Sequence, residues 1–148
     1  MKKREEYESE VPQKVRVLTM GVDTQNDRLE WEVVGWGAGH RSWKIDRGII
    51  YGDPAQQQVW DELENIIENN EYEHPEAKMK IYASGIDSGG GRTINVYAFT
   101  NPRLHKRVYA LKGSSTLDAP EITRRINKDV NHSIRSECLH RFLHIYKI

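Results

Sequence analysis

At 148 residues, with 37% hydrophobic and 30% charged positions, the chain is long enough to enclose one core and has ample solvated surface. No apolar run reaches membrane-spanning length, the N-terminus lacks the apolar centre of a signal peptide, and the single cysteine, Cys138, excludes an internal disulfide; a reducing, cytoplasmic location and no membrane partner are expected. The formal net charge is zero but divided: residues 1–91 carry 11 Lys/Arg against 18 Asp/Glu, and residues 92–148 carry 11 against 4.

Residues 1–12 are charged with almost nothing to bury and read as a disordered lead-in or the remnant of a linker, leaving one domain over 13–148. From Val15 to Asp23 a near-continuous apolar run marks a strand buried on both faces, hence central. Asn26-Asp27-Arg28 turns the chain, and the stretch from Leu29 to Trp36 alternates at its start as a half-buried strand does. After Gly37-Ala38-Gly39 a third strand runs from Ser42 towards Tyr51, completing an antiparallel meander. The period then changes. Asp53-Pro54 with Gln56 reads as a helix N-cap, a proline at the first helical position and a capping-box partner. Val59, Trp60, Leu63, Ile66 and Ile67 share one face of that helix, and Asn69-Asn70 ends it. A fourth strand, Met79 to Asp87, is followed by the loop Ser88-Gly89-Gly90-Gly91-Arg92. A short helix from Thr93 to Phe99, stopped by Asn101-Pro102, leads to a fifth strand, Arg107 to Lys112. Trp31, Trp36, Trp43 and Trp60 sit at core-pattern positions and read as packing groups. No firm order of elements follows residue 128. There Leu139, Phe142, Leu143 and Tyr146 fit an amphipathic helix better than Cys138, His140 and His144 fit zinc, because no second cluster completes four ligands.

Strands joined through helices normally return parallel by a right-handed crossover. Placing the fourth strand beside the first gives an α/β fold: a mixed five-stranded sheet flanked by helices, with ribonuclease-H-like topology. The same placement sets Asp23 and Asp87, 64 positions apart, side by side at one sheet edge. Neighbouring strands lie about 4.8 Å apart, so both carboxylates could reach one divalent cation. The alternative is that each Asp merely begins a turn, since Asp is common where strands end.

Several blocks together carry a family resemblance. They are Gly21-Val22-Asp23-Thr24-Gln25-Asn26-Asp27-Arg28-Leu29-Glu30, Val34-Gly35-Trp36-Gly37, Ser42-Trp43, Gly48-Ile49-Ile50-Tyr51-Gly52-Asp53-Pro54 with Trp60, Ile86-Asp87-Ser88-Gly89-Gly90, and Lys112-Gly113. Over about Val15 to Lys128 the sequence resembles the large terminase subunit of lambda-like tailed phages. The resemblance implies the endonuclease domain of a DNA-packaging motor, working on double-stranded DNA in a bacterial host cell. It further implies the family's partners: an ATPase domain, a small terminase subunit and a portal. The ATPase itself is not encoded in this stretch, which lacks a Gly-x-x-x-x-Gly-Lys-Ser/Thr loop.

By the same resemblance Asp23 and Asp87 match the family's metal-holding carboxylates. Two ions, Mg²⁺ or Mn²⁺, are then expected, with hard oxygen ligands suited to them. The family places a further Asp in a Thr-Asp-Thr-Ala-Lys-like segment after a basic stretch. Here Arg125-Ile126-Asn127-Lys128 is followed by Ser133 to His140, where Glu137 stands roughly at the acid's place among different neighbours. A domain that binds DNA or packaging partners without cutting therefore stays open as the alternative. Arg92, Lys112, Arg124, Arg125 and Lys128 are expected to meet DNA phosphates. The basic third as a whole, including Arg103, Lys106 and Arg107, either forms a DNA-facing surface or pairs internally with the acidic part of the chain.

Overall fold

The structure, a computed structural model, describes residues 9–113. It contains a mixed sheet with helices packed on it, the arrangement expected of a ribonuclease-H-like fold. Strands β1 (Val15–Thr24), β2 (Arg28–Gly37) and β3 (Ser42–Tyr51) form the antiparallel meander. Helix α1 (Gln57–Asn69) crosses to β4 (Glu71–Tyr72) and β5 (Met79–Asp87). Helix α2 (Thr93–Thr100) and a 3₁₀ segment, Asn101–Lys106, lead to β6 (Val108–Leu111). The strand order is β3-β2-β1-β5, with β5 pairing β4 antiparallel near its start and β6 parallel near its end. All five expected strands form. The sixth, β4, is two residues long and too short to leave a periodic signal.

The sheet's apolar face explains the sequence pattern. Leu18, Met20 and Val22 of β1 alternate towards the helices and are joined there by Leu29, Val33, Ile50 and Ile86. Val59, Trp60 and Leu63 of α1 and Val96 and Phe99 of α2 complete this cluster. Thr19, on the opposite face of β1, is buried as well, so the centre of this strand is enclosed on both sides.

Two local expectations are corrected. Residues 9–12 belong to the fold: Val11 is fully buried and its N–H donates to the Glu73 carbonyl at 2.9 Å. Val11 and Pro12, both buried, seat the segment after its charged start. The helix also starts later than Asp53-Pro54. The Asp53 carboxylate accepts from Ala55 N–H and its carbonyl from Gln56 N–H, both at 2.8 Å. Those bonds close a turn first, and α1 begins at Gln57 with no side-chain cap. Trp60 Nε1 donates to the Pro54 carbonyl at 2.8 Å, which anchors that turn to the helix.

The divided charge is partly an internal attraction. Arg103 forks onto Glu64 of α1, with Nε and Nη2 donating at 2.8 and 2.7 Å, while its guanidinium lies 4.2 Å from the centre of the Phe99 ring. Phe99 in turn packs on Trp60 with ring centres 5.0 Å apart. Lys106 pairs with Glu68, and Arg107 stacks on Tyr82 at 4.3 Å. The Arg103 hydrogen bonds hold the Glu64 carboxyl below the ordinary glutamate range, against a smaller opposing push from burial.

In the β2–β3 ladder Gly48 faces Trp31, and a Cβ at Gly48 would stand 2.5 Å from the indole Cζ2. Gly48→Ala is expected to lower unfolding stability by about 1–3 kcal/mol, checked by urea denaturation. For Glu64, a depressed folded pKa means stability that is present above the ordinary carboxyl range and lost as pH falls through the folded value. Glu64→Gln is expected to cost about 1 kcal/mol at neutral pH. That difference from the native chain should fade as pH drops below about 4, read from melting temperatures across a pH series.

Candidate metal centre

Parallel pairing of β1 with β5 puts Gly21 opposite Gly85 and Val22 opposite Ile86. Asp23 and Asp87 come one residue later on both strands, so they stand side by side at the carboxyl edge of the sheet, on the face away from α1 and α2. Crevices beyond the carboxyl ends of parallel strands are where such sheets place their sites. One oxygen of each carboxylate is held in position. Gln25 Nε2 donates to Asp23 Oδ2, and Gly89 N–H donates to Asp87 Oδ1 at 2.9 Å. The second oxygen of each carries no hydrogen bond among the described residues. Two ionised carboxylates side by side are a hard, anionic donor pair of the kind that suits Mg²⁺ or Mn²⁺. Among the described residues no group of three or more His, Cys, Asp or Glu is gathered so as to hold a metal ion.

The loop after Asp87 is closely tied. Ser88 is buried, and its N–H and Oγ both donate to the Leu111 carbonyl, at 2.7 and 2.9 Å. Thr93 Oγ1 donates to the Ser88 and Gly90 carbonyls at 2.7 and 2.8 Å. A Cβ at Gly89 would sit 3.1 Å from Asp87 Oδ1, so glycine keeps the carboxylate's turn open.

Comparison with known proteins decides what this edge belongs to. The family model of the terminase large subunit gpA endonuclease domain matches residues 1–145. The chain belongs to that family. It is similar to the terminase large subunit of Escherichia phage lambda, with 35% identity over 129 residues, covering 86% of this chain and 20% of that protein. It is also similar to the terminase large subunit of Enterobacteria phage P21, with 33% identity over 118 residues, covering 79% of this chain and 18% of that protein. The chain thus spans about a fifth of the length of these relatives.

Within this terminase nuclease domain the other expected site residues are placed unequally. Lys112 is exposed and follows Leu111, the register partner of Asp87, so it stands at the same sheet edge. Arg92 is ion-paired with Asp53 at 2.6 Å. Asp27 lies in the hairpin turn and pairs with Arg28 at 2.8 Å, as a turn-former would. Glu137, Arg124, Arg125 and Lys128 lie outside the described residues. No described helix is long and apolar enough to cross a membrane.

Three neighbours of the aspartates escaped the sequence reading. Glu30 is the register partner of Asp23 across the hairpin and shares its face; Arg28 Nε donates to its Oε1 at 2.7 Å. Counting outward from the Gln25–Asp27 turn would have found it. Gln25 would have emerged from the same count. Asp53 carried no such signal, because its link to Arg92 depends on how the loops meet.

Proposed function

We propose that this terminase nuclease domain cuts double-stranded viral DNA during genome packaging, with Asp23 and Asp87 holding divalent metal at the sheet edge. The observation that supports this reading is the in-register placement of two carboxylates, each with one oxygen oriented by a neighbour and one without a hydrogen bond among the described residues. Asp23 and Asp87 would hold Mg²⁺ or Mn²⁺, which when bound would supply an activated water and relief of charge on the leaving oxygen.

The chain's own residues have simpler tasks. Gln25 and the Gly89 amide fix the rotamers of the two carboxylates, so little reorganisation accompanies ligand capture. Lys112, exposed one residue past the register partner of Asp87, is proposed to meet a DNA phosphate, a contact that carries no sequence information. Glu137 is the acid proposed to complete the donor set. The ATPase domain, small terminase subunit and portal are the partners proposed for the longer protein of which this domain forms a part. Isolated, the domain should cut with little sequence preference.

Supercoiled plasmid with Mn²⁺ provides the test. The native chain is expected to nick and linearise it, and Asp23→Ala and Asp87→Ala to lose at least about 100-fold in rate while melting at the native temperature. Full activity in either variant would remove the metal reading. A folded native chain that leaves plasmid uncut in Mg²⁺ and Mn²⁺ would instead put the non-cutting role first.

Lys112→Ala is expected to weaken duplex binding uniformly across sequences. The slope of log affinity against log salt should fall by about one, with melting temperature unchanged, as read by fluorescence anisotropy over a salt series.

A further inference from the structure

We propose that Arg92 and Asp53 form a positioning pair that holds the Asp87 loop against the Asp23 turn, and that Arg92 serves the site through this contact and not by gripping a DNA phosphate. The inference rests on the metal-dependent reading above.

The two carboxylates sit on adjacent strands, but their chains part immediately afterwards. Beyond Asp23 the backbone turns into β2; beyond Asp87 it runs through three glycines to α2. Glycines give that loop many conformations, so attachments must choose one. The Ser88 bonds run to β6 and the Thr93 bonds stay within the loop. Arg92 crosses to the other side. Its Nη2 is 2.6 Å from Asp53 Oδ1 and 3.5 Å from the Asn26 carbonyl of the hairpin turn.

Asp53 makes a fixed anchor. Its own turn bonds to Ala55 and Gln56 seat it, and Gly52 N–H donates to the Asp27 carbonyl at 2.9 Å. The β1–β2 hairpin and the β3–α1 turn are thereby one unit, and Arg92 fastens the Asp87 loop to it. The guanidinium is only partly exposed, with the Arg92 side chain 28% accessible, and its Nε is buried and makes no hydrogen bond among the described residues. A phosphate would have to displace a partly buried ion pair to reach it, and Asp53 already neutralises its charge.

Asp53→Asn separates the two roles, because it keeps Arg92 in place while removing the anion opposite. The full chain is titrated with Mn²⁺ alone, free ion being read by electron paramagnetic resonance. Binding of a short duplex in EDTA and melting temperature are measured beside it. A positioning pair predicts Mn²⁺ affinity about 5–10-fold weaker in Asp53→Asn, no gain in duplex affinity, and partial retention of Mn²⁺ binding in Arg92→Lys. Native Mn²⁺ affinity in Asp53→Asn with tighter duplex binding would overturn the proposal and make Arg92 a phosphate contact. Asp23→Ala and Asp87→Ala distinguish the underlying reading. If they lose Mn²⁺ while Asp53→Asn retains it, the pair alone fails; if they bind like the native chain, the metal reading fails and takes the pair with it.

Discussion

The parallel ladder between β1 and β5 is the constraint on which the rest of the site depends. Side chains alternate across a strand, so a slip of one residue would turn Asp87 from the open face into the helix-covered core. Desolvating an unpaired carboxylate there would be far more costly than any single ladder bond could offset. The apolar face opposes the slip as well. Leu18, Met20, Val22 and Ile86 all point beneath the helices, and shifting one strand would expose Ile86 as it buried Asp87. Packing on one face of the sheet therefore sets the chemistry available on the other.

The helices keep that register by being anchored to one another. Trp60, Phe99, Arg103 and Glu64 form a continuous chain of ring stacking, cation–π contact and forked ion pair between α1 and the segment after α2. This arrangement also accounts for part of the charge asymmetry. Basic groups of the C-terminal third that pair with the acidic face of α1 tie two crossovers together and add little to a DNA-facing potential. Lys112 differs, because it lies past the end of β6, forms no ion pair among the described residues, and stands at the same sheet edge as the aspartates.

The segments that carry the family resemblance acquire distinct physical meanings in the fold. Gly48 is required by the Trp31 indole above it. Asp53 and Pro54 close a turn that Trp60 and Arg92 hold from two sides. Ser88 ties the second aspartate's loop to β6. Much of such a motif thus consists of fixtures around the two carboxylates proposed to hold metal. Those fixtures share a purpose, since two carboxylates on separate strands capture one ligand well only when the loops beyond them are held still.

Periodicity and turn chemistry made the main strands, both helices and the two strand-end aspartates legible, because apolar alternation and glycine, proline or asparagine punctuation are local properties. Helix-linked strands further implied the parallel return that brings Asp23 beside Asp87. What the sequence could not express was contact between segments distant along the chain. The burial of Val11 beside Glu73 depends on such contact, as do the two-residue β4, the shift of the α1 start to Gln57 and the Arg92–Asp53 pair. Each arises where two separately formed elements meet and a polar or apolar group finds its partner there. Local pattern therefore determined which residues could form the sheet and its carboxylate edge. The tertiary structure decided which charges remain open to a ligand and which are neutralised within the fold, because ion pairing depends on separation in space and not on separation in sequence.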